Sequence, residues 1–124
     1  MNILKFRYFS AEDKKFVYSD SFNSGNLQNL VLFFDSALKY SDGEIQQYTG
    51  LTDKNGKEIY EWDIIQEFPD SQDKSVIVWS ENGFWFAESS ESGMGQELFM
   101  YPKCQVIGNI FENKSLITKK SLTN

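Results

Sequence analysis

Histidine is absent from the 124 residues, cysteine occurs once and proline twice. Without histidine there is no imidazole base for a Ser-His-Asp or Cys-His centre and no imidazole ligand for zinc. The single cysteine, Cys104, excludes an intrachain disulfide and a cysteine-cluster metal site. No apolar run approaches the roughly 18–20 residues that span a bilayer; the longest is Leu30-Val31-Leu32-Phe33-Phe34. Met1 to Lys15 holds no continuous apolar core and no small-residue cleavage pattern, so no signal peptide is expected and the expected compartment is the cytoplasm. No cofactor, no metal and no membrane partner are expected.

Aromatic side chains, in contrast, are abundant. Eleven Phe, six Tyr and three Trp make up 16% of the chain, and apolar residues make up 40%. A disordered tail does not have that composition. A chain of this length buries roughly two thirds of its unfolded surface and folds without staples.

Charge is unevenly spread. The net charge is −6. From Glu58 to Glu97 ten acids stand against Lys74 alone, a net of −9, which leaves +3 for the remainder. Such a segment repels phosphate, so direct nucleic-acid binding through it is not expected. It reads either as a surface for a basic partner or as a solvated face that keeps an aromatic-rich domain soluble.

Leu4, Phe6 and Tyr8 alternate with Lys5, Arg7 and Phe9, and Phe16 to Phe22 alternates in the same way. Two strands forming a hairpin are expected there. Leu27, Leu30, Val31, Phe34 and Leu38 then fall on one helical face, with Ser24 or Asn26 as cap and Ser41-Asp42-Gly43 as terminator. A strand over Leu30 to Phe34 is the rival reading.

From Ile45 the pattern is all β. Asn55-Gly56 and Asn82-Gly83 are hairpin signals. Glu58 to Phe68 reads as one strand, with Tyr60, Trp62, Ile64 and Phe68 on one face. A two-residue turn at Asn82-Gly83 would pair Trp79 with Phe86, putting both in the core and Trp85 on the opposite face. Ser89 to Gln96 reads as a mobile loop, Leu98 to Tyr101 as a short strand, and Cys104 to Phe111 as the last strand with a bulge at Gly108. The expected fold class is mainly β with a minor α element. Residues 1–44 form a hairpin plus helix, 45–117 a small barrel of SH3-like or OB-like type, and 118–124 a polar tail.

Gln47-Tyr48-Thr49-Gly50-Leu51, Asp53 to Glu61, Asp63-Ile64-Ile65, Val78-Trp79, Gly83-Phe84 and Val106 to Asn113 together resemble the YopX family of small phage and prophage proteins. Leu4-Lys5-Phe6-Arg7 resembles the basic strand with which those proteins begin. The resemblance covers 45–117 and 3–9. It implies an SH3-like barrel, a phage or prophage origin and a tendency to self-associate, and it implies no catalytic activity. One departure stands out: Glu61-Trp62-Asp63 replaces the family's Glu-Gly-Asp. If that position needs a positive φ, Trp62 must accommodate it.

The candidate contact residues follow from charge and aromaticity. Trp62 and Trp85 are the tryptophans expected at the surface, where tryptophan is enriched at interface hot spots. Glu61, Asp63, Asp70, Asp73, Glu88, Glu91 and Glu97 supply the acids. Glu61 and Asp63 as a metal or acid-base pair lack a third ligand, and turn capping or salt bridging is the stronger reading. Gly50 and Gly56 are expected at positive φ, and Asp53 as a turn cap. Cys104 reads as a small buried hydrophobe.

The leading expectation is a non-enzymatic protein that binds a basic host or phage protein. An inhibitor of a nucleic-acid-handling defence machine fits the acidic face. The alternatives are a nucleic-acid-binding or regulatory barrel using Lys5, Arg7, Lys14, Lys15 and the C-terminal lysines, or a self-assembling scaffold module joined through exposed sheet edges.

Overall fold

A computed structural model describes residues 5–22, 27–40, 44–67 and 73–117. Among these residues there are nine strands and one α-helix, so the protein is mainly β with a minor α element, as expected. The strands are β1 (Phe6–Ser10), β2 (Lys15–Tyr18), β3 (Gln46–Thr52), β4 (Glu58–Tyr60), β5 (Asp63–Gln66), β6 (Lys74–Trp79), β7 (Trp85–Ser89), β8 (Gly95–Glu97) and β9 (Gln105–Asn109), in the order β2-β1-β3-β4 in one antiparallel sheet and β8-β7-β6-β5-β9 in the other. The chain divides into two compact units, Met1–Tyr48 and Thr49–Asn124, and the division falls inside β3 (Gln46–Thr52).

In the first unit β1 (Phe6–Ser10) pairs with β2 (Lys15–Tyr18) in a tight hairpin, Ser10 opposite Lys15. The Ser10 hydroxyl accepts the Asp13 N–H inside the turn. The second strand is shorter than its alternation suggests. Ser19–Phe22 winds into a 3-10 turn, and the buried Ser19 hydroxyl accepts the Phe6 N–H, tying that turn back to β1. Helix α1 (Leu27–Tyr40) settles the rivalry between helix and strand.

The buried face of α1 differs from the expected one. Phe33 and Ala37 are buried and Leu30 and Phe34 half-buried, whereas Val31 and Leu38 are exposed. Positions 30, 33, 34 and 37 form the apolar stripe. Tyr8 and Phe33, with ring centroids 5.6 Å apart, centre this core, and Phe6 packs on Phe34 at 5.3 Å. Loss of the Phe33 ring removes about 3–5 kcal/mol. The capping residues Ser24 and Asn26, the terminator 41–43 and Leu4 lie outside the described residues.

Arg7 is buried despite its charge. Its guanidinium lies 4.0 Å from the Phe16 ring centroid and its Nε donates to Gln46 Oε1. Lys5 pairs with Asp20 at 3.5 Å. Two of the cations named for nucleic-acid contact are therefore engaged within this unit.

In the second unit the end of β3 turns through Asp53–Gly56 into β4 (Glu58–Tyr60). The single strand expected over Glu58–Phe68 is broken. Glu61 and Trp62 form a turn, and β5 (Asp63–Gln66) belongs to the other sheet. Trp62 sits at φ +71°, the left-handed region that glycine enters freely and other residues enter at a cost of about 1–2 kcal/mol. Its N–H donates to Ile77 O and its carbonyl accepts Ile110 N–H, which fixes the bend.

Strand β6 (Lys74–Trp79), β7 (Trp85–Ser89) and β8 (Gly95–Glu97) form a meander. Two further expectations are corrected here. Residues 95–97 are a paired strand, held by backbone bonds that close the preceding turn, and Leu98–Met100 is a 3-10 turn. Strand β9 (Gln105–Asn109) pairs with β5, and the expected bulge is present: Ile64 faces Gly108 while Ile65 faces Val106. A Cβ on Gly108 would lie 2.5 Å from Asn113 Oδ1, so the close approach requires glycine. The core of this unit is Ile59, Ile65, Ile77, Ala87, Leu98, Cys104 and Val106.

Candidate functional site

The tryptophans and acids are placed by two hairpin turns. At the β6–β7 turn, Gly83 N–H donates to Ser80 O and Ser80 N–H donates to Phe84 O, with Gly83 at φ +88°. This is a type I turn followed by a left-handed glycine, one residue longer than the two-residue loop expected from Asn-Gly. The extra residue shifts the register. Trp79 faces Trp85, Val78 faces Phe86 and Ile77 faces Ala87.

The expected roles of two tryptophans are thereby exchanged. Trp79 is 54% exposed, and Trp85 is half-buried against the core. Their rings meet edge to face at 4.8 Å, a geometry that adds about 0.5–1.5 kcal/mol. Nothing in the Asn-Gly pair itself distinguishes the two loops. Ser80 three residues before Gly83 is the signal that favours the longer one.

Side chains alternate across the meander. Ile77, Ala87 and Gln96 occupy one face, with Trp79 and Trp85 at its end. Val78, Phe86 and Glu97 lie on the other, together with Val76 and Glu88. Glu88 and Glu97 therefore share a face with Phe86, and Trp85 lies on the opposite one. Glu91 is exposed in the β7–β8 turn. From Ser75 to Pro102 there is no lysine or arginine, against the four acids Glu81, Glu88, Glu91 and Glu97.

The β7–β8 turn is ordered by Ser89. Its hydroxyl accepts the Glu91 and Ser92 N–H groups and donates to the carboxylate of Asp73 at 2.9 Å. Asp73 thus supports the acidic turn from below. Burial, then Glu67 and Asp73, push the Tyr101 phenol above its ordinary value.

The remaining candidates are dispersed. Asp63 is buried and so is no contact residue; its Oδ2 accepts the Tyr60 N–H at 2.8 Å, which is turn capping, one of the two structural roles expected of it. Glu61 and Trp62 are half-buried in the bend. Asp70 lies outside the described residues. Among the described residues no group of three or more His, Cys, Asp or Glu is placed to hold a metal ion, and no helix is long and apolar enough to cross a membrane.

Composition alone did not flag a cavity of about 370 Å³ in this unit. Ile59, Leu98 and Cys104 are its buried lining, and Leu51, Phe99 and Pro102 are exposed on it. Asp53 contributes to its wall, but the carboxylate is engaged in holding the turn. Oδ1 accepts Asn55 and Lys57 N–H, and Oδ2 accepts the Val106 N–H at 2.9 Å. Burial pushes this carboxyl up, but the three backbone donors and Lys57 outweigh it and hold it below the ordinary aspartate value. Burial, with Asp53 nearby, pushes the Cys104 thiol up to about 11, which leaves it protonated and unreactive at neutral pH.

No curated protein matches the chain. The crystal structure of protein EF1440 from Enterococcus faecalis is similar over 94% of this chain and 99% of that one, with a TM-score of 0.56 and 25% sequence identity. The family model described as YopX protein matches residues 5–118, a span that takes in the Asp53 turn, the Trp62 bend and the Gly108 bulge. The chain belongs to the YopX family.

Proposed function

We propose that this is a non-enzymatic phage or prophage protein that binds a host or phage protein with a basic surface. The binding face is the solvent side of β7 and β8, where Glu88 and Glu97 flank Phe86 and Glu91 stands at the turn. The observation that carries this reading is that four acids and no base occupy the whole stretch from Ser75 to Pro102. Opposite charge on a partner accelerates encounter and fixes orientation, and the effect weakens with salt. A partner built to grip phosphate presents such a surface, so inhibition of a nucleic-acid-handling defence machine is the favoured role.

The test is affinity capture from host lysate with nuclease treatment, at low and high salt, using the wild-type chain and a Glu88→Lys, Glu91→Lys, Glu97→Lys triple variant. A protein captured by the wild type at low salt and lost by the variant supports the reading. Capture that survives charge reversal overturns it. Nucleic acid as the sole species captured in a parallel sample without nuclease favours a nucleic-acid-binding barrel.

A further inference from the structure

Strand β8 is the edge of its sheet, and among the described residues no strand lies beyond it. The direction of its backbone groups follows from the turn. The Ser89 N–H donates to Met94 O, the bond that closes the turn, while Ser89 O accepts the Gly93 N–H and the Met94 N–H donates to Ser92 Oγ; Ser89 and Met94 thus stand at a bonded position of the ladder. Hydrogen-bonded and non-bonded pairs alternate along an antiparallel ladder. Ala87 and Gln96 are therefore bonded to each other, while Glu88–Gly95 and Phe86–Glu97 are non-bonded positions. By that alternation the Gly95 N–H and C=O and the Glu97 N–H face away from β7.

An exposed edge of this kind is a template for another strand. Of the devices that blunt natural edges, β8 lacks lysine, proline and a bulge; it is a short edge of three residues with the one charge of Glu97. It is bordered by exposed apolar side chains, Met94 at 73%, Phe99 at 60% and Met100 at 53%. Glu88 and Glu97 are diagonal neighbours on the face an added strand would extend, and diagonal neighbours are within reach of long side chains such as lysine and arginine.

We infer that the partner engages by adding an extended segment with alternating basic residues along the β8 edge, its main chain bonding to Gly95 and Glu97 and its cations reaching Glu88 and Glu97. This rests on the acidic-face reading and adds a mode of binding to it.

Glu97 allows a direct test, because its φ is −58°, the value proline imposes. Glu97→Pro removes one outward N–H without disturbing a β7 bond, and Glu97→Gln is the control that removes the charge alone. The probe is an eight-residue peptide of alternating lysine with threonine and valine, in three forms: unmodified, N-methylated on one backbone edge, and N-methylated on the other. Binding is followed by amide shifts of the full-length, isotope-labelled chain.

The expected result is that the unmodified peptide shifts Gly95 and Glu97. One methylated form should lose affinity about tenfold or more and the other retain it. Glu97→Pro should weaken binding more than Glu97→Gln. Equal binding by both methylated forms overturns strand addition while leaving the charge reading intact. Absence of binding by every form to the wild type overturns the inference, and the lysate experiment then decides the broader reading separately. The methylated peptides act on the wild-type chain, so the test stands even where Glu97→Pro fails to fold.

Discussion

The turns at Asp53–Lys57 and Ser80–Phe84 have nearly the same local code and different standing in the molecule. Each places a polar side chain first, Asn third and Gly fourth, with the glycine at φ +82° in one and +88° in the other. Each begins with a side-chain oxygen accepting the N–H two residues on, Asp53 from Asn55 and Ser80 from Asn82. Beyond that they diverge. Asp53 also binds Lys57 and, 53 positions away, Val106, and Lys54 N–H donates to Cys104 O. Ser80 makes no comparable long-range bond in the described structure. One turn only reverses the chain, while the other also pins β9 to the end of β3. Replacing a hydroxyl by a carboxylate is what permits three backbone donors to converge on one side chain.

The largest expected effect comes from breaking this difference at Asp53. Asp53→Ala leaves three backbone donors without their partner and should cost about 3–5 kcal/mol in urea denaturation. Asp53→Asn should cost less, with a dependence on pH. The native carboxyl is held below its ordinary value, so its stabilisation is complete above about pH 3.9 and is lost as pH falls through the lower native value. The gap between wild type and Asp53→Asn should be widest at neutral pH and close in acid.

Cys104 reports the same event. With a thiol raised to about 11 and 1% exposed, it should resist alkylation at pH 8 in the native protein. In Asp53→Ala, labelling should accelerate by about a hundredfold to several thousandfold where it tracks the opened population. Ser80→Ala should leave it unchanged, and equal acceleration in both variants would erase the distinction between the turns.

Gly56→Ala and Gly83→Ala should be indistinguishable, each about 1–2 kcal/mol. Both sit at positive φ with nothing within 4 Å of the new Cβ, so only backbone strain is added. A clear inequality would mean that the anchoring at Asp53 reaches the glycine as well. Trp62, a third left-handed position, sharpens this point. Trp62→Ala should be less stable than Trp62→Gly by about 1 kcal/mol, since both lose the ring and only alanine retains the strain. Ser80→Ala should be the mildest change, about 0.5 kcal/mol or less by the same denaturation measurement.

Local chemistry carried further into the structure than charge did. The turn glycines, the Asp53 cap, the Gly108 bulge and the presence of α1 were all legible, because each depends on residues a few positions apart. The acids Glu88, Glu91 and Glu97 were legible as a group, and the structure gathers them on and beside one hairpin. What was not legible was parity. One additional loop residue at Ser80–Phe84 exchanged Trp79 and Trp85, and the left-handed Trp62 broke one expected strand into two that join different sheets. A strand shifted by one residue turns every side chain to the other face, so a small error in loop length becomes a complete error in exposure. The helix face was misread for a related reason: both candidate stripes were apolar, and only the position of Tyr8 decides that Phe33 and Ala37 face inward.

The sequence by itself determined the mainly β class, the family, the places where the chain turns and the sign of the charge on its second half. These follow from steric limits on φ, from hydrogen bonds that side chains make to their own neighbours, and from counting. Only the tertiary structure decided which tryptophan meets solvent, that Arg7 is buried over Phe16, that Asp53 reaches Val106, and that β8 is the edge of its sheet. Each of these depends on which strand lies alongside which and in what register. That is settled by the packing of residues tens of positions apart, and no window of sequence contains it.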